Sequence, residues 1–179
     1  AGENCILLEN LAERVPWNLR LLNTGSVRAR LCLEDGVADL ACVSGPDAAA
    51  EGMEMIWCFK RELGLVFRDA GALSDLAGLR IVGWQRDYAM HAAFERSLLA
   101  LGLSHPKYVR AARTHSAVAA AVAAGRADVG FAERRAAAHA GLGFQPLGHD
   151  EIKLLARPEN VGDARLKSLV SALSQAEGA

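Results

Sequence analysis

"RTHSAVAAAVAAGRADVGFAE", residues 113–133, runs from a hydroxyl-rich turn through an alanine-rich segment and a Gly-x-Ala-Asp turn into a short apolar run. Thr114 and Ser116 stand where a helix begins, since a side-chain oxygen there accepts from backbone N–H groups that have no partner in the first turn. Gly125 follows the last helical alanine, where a left-handed residue commonly closes a helix. Val129 to Ala132 then reads as a buried parallel strand. The same order occurs about ninety residues earlier, in "NTGSVRARLCLEDGVADLACVS" (23–44), with Thr24-Gly25-Ser26 for the opening and Gly36-Val37-Ala38-Asp39 for the turn. Two copies are too few for a stack of repeats, which needs at least three. They predict two similarly built halves.

The surrounding chain supports alternating strands and helices. Residues 4–14 place Leu7, Leu8 and Leu11 at helical spacing, and the helix must end before Pro16. "WNLRLLN" (17–23) alternates and predicts a strand, as do 38–44, 78–84, 107–112 and 127–132. Helices are expected over 24–34, 88–101, 114–124, 133–140 and 164–175, with Ser74 or Asp75 capping a short turn. The stretch 53–69 reads as two strands broken at Lys60-Arg61-Glu62, and 144–158 as irregular chain with a strand at 151–156. Such alternation points to an α/β architecture with right-handed crossovers.

Composition narrows the class. The chain has 179 residues, is 51% hydrophobic and carries a formal net charge of −1. This is globular composition, without the basic field that nucleic-acid binding requires. No apolar run reaches the roughly 20 residues of a membrane span. The start, Ala1 rather than Met, is expected of a processed or excised piece. Cys5, Cys32, Cys42 and Cys58 form no Cys-x-x-Cys and sit in apolar surroundings, which predicts buried free thiols and a cytoplasmic setting.

The blocks 23–43, 61–82 and above all 113–159 resemble the type II periplasmic-binding-protein fold. They are most similar to the binding-protein-like domain of predicted molybdate- or tungstate-responsive proteins, and more loosely to LysR-type effector domains. The resemblance covers nearly the whole chain, short of an opening strand before Ala1. It implies an α/β fold of two lobes, with mainly parallel sheets and crossing hinge strands. Residues 1–68 plus 143–179 would form one lobe and 69–142 the other. It further implies a non-enzymatic domain that closes over a small anion, either molybdate or tungstate or an organic anion. No cofactor and no metal is expected. The implied partners are a fused DNA-binding domain upstream and a second copy of the chain. Two other readings stay open on this fold: a secreted (periplasmic) receptor of an ABC transporter, and an enzyme acting on a small aromatic acid. The sequence departs from the family at 83–91, where a small hydroxyl-bearing loop is replaced by Asp87-Tyr88-Ala89-Met90 after Gln85-Arg86. Arg86 is the expected partner of Asp87.

An anion site is also expected on physical grounds. Helix N-termini at the carboxyl edge of a parallel sheet present free N–H groups and the positive end of the helix dipole. Thr24, Gly25 and Ser26 occupy such a place in one half, and Thr114, His115 and Ser116 in the other. The same hydroxyls suit simple N-caps, and one hydroxyl serves both purposes. Arg28, Arg86 and Arg113 are candidates for charge-assisted contacts, and Tyr88 for the pocket wall. Asp39 and Asp128 are expected to be structural, and His149-Asp150-Glu151 to be a polar turn. Gly-x-Ser-x-Gly and a Walker loop are absent, so catalysis finds no motif.

Overall fold

Two strands of unusual length organise the chain. The computed structural model describes residues 1–2, 4–12, 14–45, 52–74, 76–86 and 88–177. In chain order these form α1 (Ile6–Ala12), α2 (Ser26–Glu34), β1 (Leu40–Ser44), β2 (Glu54–Phe67), β3 (Arg80–Trp84), α3 (Ala89–Ala100), β4 (Lys107–Ala112), α4 (His115–Ala123), β5 (Val129–Glu133), α5 (Arg134–His139), β6 (Gly143–Ala156) and α6 (Ala164–Glu177). Short 3-10 turns lie at Ala70–Ser74, Leu76–Gly78 and Pro158–Asn160. The proposed cap Asp75 lies outside the described residues, as does Asp87.

The chain divides into two compact units, Ala1–Lys60 with Glu151–Ala179, and Arg61–Asp150. Strand β2 begins in the first unit and ends in the second, and β6 does the reverse. Neither strand is broken. The expected break at Lys60-Arg61-Glu62 and the expected irregular chain before residue 151 are both corrected here. Three adjacent charged residues read locally as a solvated turn. Instead strand alternation sends Arg61 inward, to partners that only the fold supplies.

In unit 1, β1 pairs antiparallel with the end of β6, Leu40 opposite Ala156 and Ser44 opposite Ile152. One face is covered by α1 and α6: Leu7, Leu8, Leu11, Leu169 and Leu173 pack with Trp57, Phe59, Ile152 and Leu154. The other is covered by α2 through Ala29 and Leu33, against Ala41, Val43 and Leu155. The Arg157 guanidinium donates to Leu33 O (2.7 Å) and Ala38 O (3.3 Å), closing the carbonyl end of α2, where a cation is favourable. Gly36, with φ +71, ends that helix as expected. The strand expected over 17–23 is reduced to a single bridge, Asn23 with Gly2. Alternation alone does not make a strand where no neighbour offers a ladder.

In unit 2 the order is β6-β2-β5-β3-β4. Strand β2 is antiparallel to β5 (Leu63 opposite Glu133), while β3 runs parallel to both β5 and β4. The phenyl rings of Phe94 on α3 and Phe131 on β5 stack at 5.0 Å between centroids. Gly130 lets α4 sit close on the sheet: a Cβ there would lie 2.5 Å from Val118 Cγ1 and 2.6 Å from Val82 Cγ1. Likewise a Cβ at Gly64 would meet Gln145 O at 2.1 Å, which is how β2 and β6 run side by side. All four cysteines are free thiols, Cys5 and Cys42 buried.

Candidate functional site

The carboxyl ends of β3, β4 and β5 lie along one edge of unit 2 and lead into Gln85-Arg86, Arg113-Thr114 and Arg134. Gln85 ties the first two together. Its N–H donates to Ala112 O (3.0 Å), and its side-chain oxygen accepts from Arg113 Nε at 2.7 Å. Arg113 and Arg86 are exposed, and no partner holds Arg86 among the described residues. Two guanidinium groups are thus brought to neighbouring turns with most of their N–H donors facing water. Thr114 accepts from Ala117 N at 3.0 Å, an N-cap for α4, and Ser116 is exposed on the first turn. The third arginine, Arg134, is committed elsewhere. It pairs with Glu62 and lies 4.4 Å over the Phe144 ring.

Two of the expected site residues point into the protein. Tyr88 is 4% exposed and packs against Trp84, 6.2 Å between ring centroids. His115 is wholly buried: Nδ1 accepts from Glu133 N (3.1 Å), Nε2 lies 2.9 Å from Arg61 Nη1, and the ring meets Trp84 edge-on at 4.8 Å. Burial, and then the Arg61 charge, push its pKa well below the usual histidine value, so the ring is neutral.

Arg61 is the group that sequence reasoning missed. Its side chain is 1% exposed, with Nε and Nη2 on Asp150 Oδ2 at 3.0 and 2.7 Å. Nη1 lies 3.6 Å from Glu133 Oε2, and Nη2 reaches the Met90 sulfur at 3.7 Å. Buried charge is tolerable only when paired in this way. Asp150 therefore belongs to a strand and an ion pair, and the polar turn expected at 149–151 is not formed.

Unit 1 presents a different helix start. Gly25 is the N-cap of α2 and supplies no side-chain acceptor; the Thr24 hydroxyl turns back to Gly25 O at 3.2 Å. Ser26 Oγ accepts from Ser44 N (3.0 Å) and lies 3.4 Å from Ser44 O, fastening the helix to the end of β1. The backbone N–H groups of Val27 and Arg28 have no partner among the described residues. The Arg28 side chain is exposed. The α4 start is thus capped by its own threonine, whereas α2 leaves donors open for an anion.

The two Gly-x-Ala-Asp motifs also part company. Gly36 and Gly125 share the left-handed conformation (φ +71 and +69). Asp128 accepts from Arg80 N (2.8 Å) and from its guanidinium (2.7 and 3.1 Å), which lowers its pKa to about 2. No such bond is made by Asp39 among the described residues.

A family model for the PBP superfamily domain matches residues 8–174, nearly the whole chain. The chain belongs to the PBP superfamily. Its fold is the α/β, two-lobed type II arrangement, mixed in strand direction, with parallel pairing inside each unit and antiparallel pairing where the long crossing strands join. Solved structures agree. The bromide-bound regulatory domain of HypT from Salmonella typhimurium superposes with a TM-score of 0.74 at 11% identity, covering 99% of this chain and 92% of that one. The effector-binding domain of QuiR in complex with shikimate gives 0.64 at 14% identity (97% and 89% covered). The reduced regulatory domain of OxyR2 from Vibrio vulnificus gives 0.63 at 20% identity (96% and 87% covered). At these identities the likeness is one of fold. No curated protein sequence matches this PBP-like domain. Among the described residues no helix is long and apolar enough to cross a membrane, and no cluster of side chains suits a metal ion.

Proposed function

We propose that this PBP-like domain is a sensor for a small anion, the effector domain of a LysR-like transcription regulator that acts by binding rather than by turnover. The observation that carries the reading is the pair of exposed guanidinium groups, Arg86 and Arg113, joined through Gln85 at the carboxyl edge of the parallel ladder beside the α4 start. Thr114 and Ser116 add hydroxyls there. Within unit 1, the open N–H groups of Val27 and Arg28, with Thr24 and Ser26 alongside, form a group of donors of their own. The shikimate and bromide named for the QuiR and HypT domains are of compatible charge. Molybdate and tungstate are the oxyanions that the sequence resemblance implies, and a small carboxylate is the next choice. Ligand binding is read out through β2 and β6, the strands by which the chain passes from unit to unit. A DNA-binding domain fused outside these 179 residues, a homodimer and a cytoplasmic setting complete the proposal.

Calorimetry and thermal shift against molybdate, tungstate, bromide, sulfate and shikimate test it. A true ligand at a hundredfold excess over its Kd stabilises by about 2.7 kcal/mol. Arg113→Gln removes a charge-assisted contact and weakens that ligand by about 1.5–3 kcal/mol, roughly ten- to a hundredfold. Unchanged affinity in both Arg113→Gln and Arg86→Gln refutes the site. A shift from no member of the panel refutes the anion reading.

A further inference from the structure

On one side of unit 2 a groove of about 320 Å³ lies between α3 and the Leu147-Gly148-His149 stretch of β6. Its floor is core: Leu63 and Phe131 line it at 4% and 2% exposed, and Phe131 is stacked on Phe94 of α3. The helix wall carries short side chains, Ala93, Ser97 and Ala100, whose i, i+4, i+7 spacing puts them on one face. Being short, they leave open the space that longer side chains would fill. From Ala93 to Leu101 this wall is about 12 Å long, at about 1.5 Å of rise per residue.

The rim is basic. Arg96 and His149 stand on opposite walls, both exposed, and among the described residues no acidic side chain lines the groove. Arg96 makes no hydrogen bond or ion pair among those residues. One turn away on α3 are Ala92, Ala93, Leu99 and Ala100, so no helical ion pair is available to it. The adjacent carboxylate, Glu95, is taken by the Tyr108 hydroxyl. On the other wall His149 lies within electrostatic range of Glu62, which already accepts from Arg134. The Ser97 hydroxyl donates to Ala93 O at 3.0 Å and so turns no proton to the groove. An apolar floor is thus joined to a guanidinium with nothing to bind.

We propose that this groove is a second ligand site, separate from the Arg86 and Arg113 edge, for a medium-chain aliphatic carboxylate. The carboxylate pairs with the Arg96 guanidinium, whose fork matches its two oxygens, and the His149 ring supplies a further N–H from the other wall. The chain lies along α3 over Leu63, Leu101 and Leu147. Taking the roughly 30 Å³ of a liquid water molecule for each non-hydrogen atom, the space holds about ten, the size of octanoate. An inorganic oxyanion would leave the apolar floor in water. An uncharged hydrocarbon would strip water from Arg96 and put nothing in its place.

Octanoate is the probe, titrated by calorimetry and followed by amide chemical shifts, with acetate and 1-octanol as controls. Acetate and 1-octanol are each expected to bind at least tenfold more weakly, since each lacks one half of the match. Arg96→Gln is expected to weaken octanoate about tenfold or more, and so is Ala100→Leu, which fills the groove from an exposed position and keeps a good helix former. The amides of Ser97, Ala100 and Gly148 should shift. Octanoate binding no better than acetate or 1-octanol overturns the proposal, as does unchanged affinity in both variants. Shifts at Gln85 and Arg113 in place of Ser97 and Gly148 would put the molecule at the other edge and overturn it too. Self-association in sedimentation that Ala100→Leu abolishes would make a second copy the occupant, with the same consequence.

Discussion

Replacing Asp150 by Ala is expected to be the most damaging single change to unit 2. The substitution removes the acceptor of two Arg61 bonds, at 3.0 and 2.7 Å, from a guanidinium whose side chain is 1% exposed. Breaking a buried pair by deleting one partner costs about 3–5 kcal/mol, because the remaining charge stays desolvated. Two features set the value near the lower end. Asp150 itself is 14% exposed, so water reaches the gap, and Glu133 still lies 3.6 Å from Nη1. A cost of about 3 kcal/mol is a large part of the 5–15 kcal/mol by which domains are stable. Urea unfolding followed by far-UV circular dichroism measures it, with amide exchange reporting on residues 61–150 separately. The Arg61→Met, Asp150→Leu double variant removes the stranded charge and is expected to recover at least half of the loss, as apolar replacement of buried pairs often does. A cost under about 1 kcal/mol for Asp150→Ala at unchanged m would show that Arg61 is solvated, and the account of this network would fail.

Stability is expected to fall with pH through His115, whose neutral form is the one buried. The unfolded ring titrates near 6.5 and the folded ring well below it, so the unfolded state takes up a proton first. The protein is therefore at full stability above about pH 6.5 and loses up to about 1.4 kcal/mol per pH unit below it, a slope that His115→Gln should abolish in denaturant melts at pH 5 to 7.5. Gly130→Ala puts a methyl against Val118 and Val82 at 2.5 and 2.6 Å and is expected to cost about 1–3 kcal/mol, partly relieved by Val118→Ala; a neutral Gly130→Ala would show that α4 has room to move.

Local pattern was enough to read most of the elements and the duplicated design. Helix spacing, the glycines at 36 and 125 and the apolar runs at 40–43 and 129–132 all act within a few residues, so each is written in one stretch of chain. The places of the residues proposed for the anion are marked locally too: Arg86, Arg113 and Thr114 stand at strand-to-helix turns and Ser26 at the start of α2. What local pattern left open was whether each hydroxyl caps its own helix. Thr114 does, while Ser26 bonds instead to Ser44, a residue that neighbours it only in space.

The tertiary structure alone decided the fate of the charged stretches. Lys60-Arg61-Glu62 and His149-Asp150-Glu151 each look like solvated turns, because a charge in isolation belongs in water. They form long strands because Arg61 and Asp150, 89 residues apart, neutralise each other and lie beside His115 and Glu133. Residues 17–22 show the converse, a strand-like alternation that forms no ladder, the only pairing nearby among the described residues being the bridge of Asn23 with Gly2. Conformational preference is a property of the local chain. Desolvation and strand pairing depend on whatever lies opposite, and only the folded protein brings that into place.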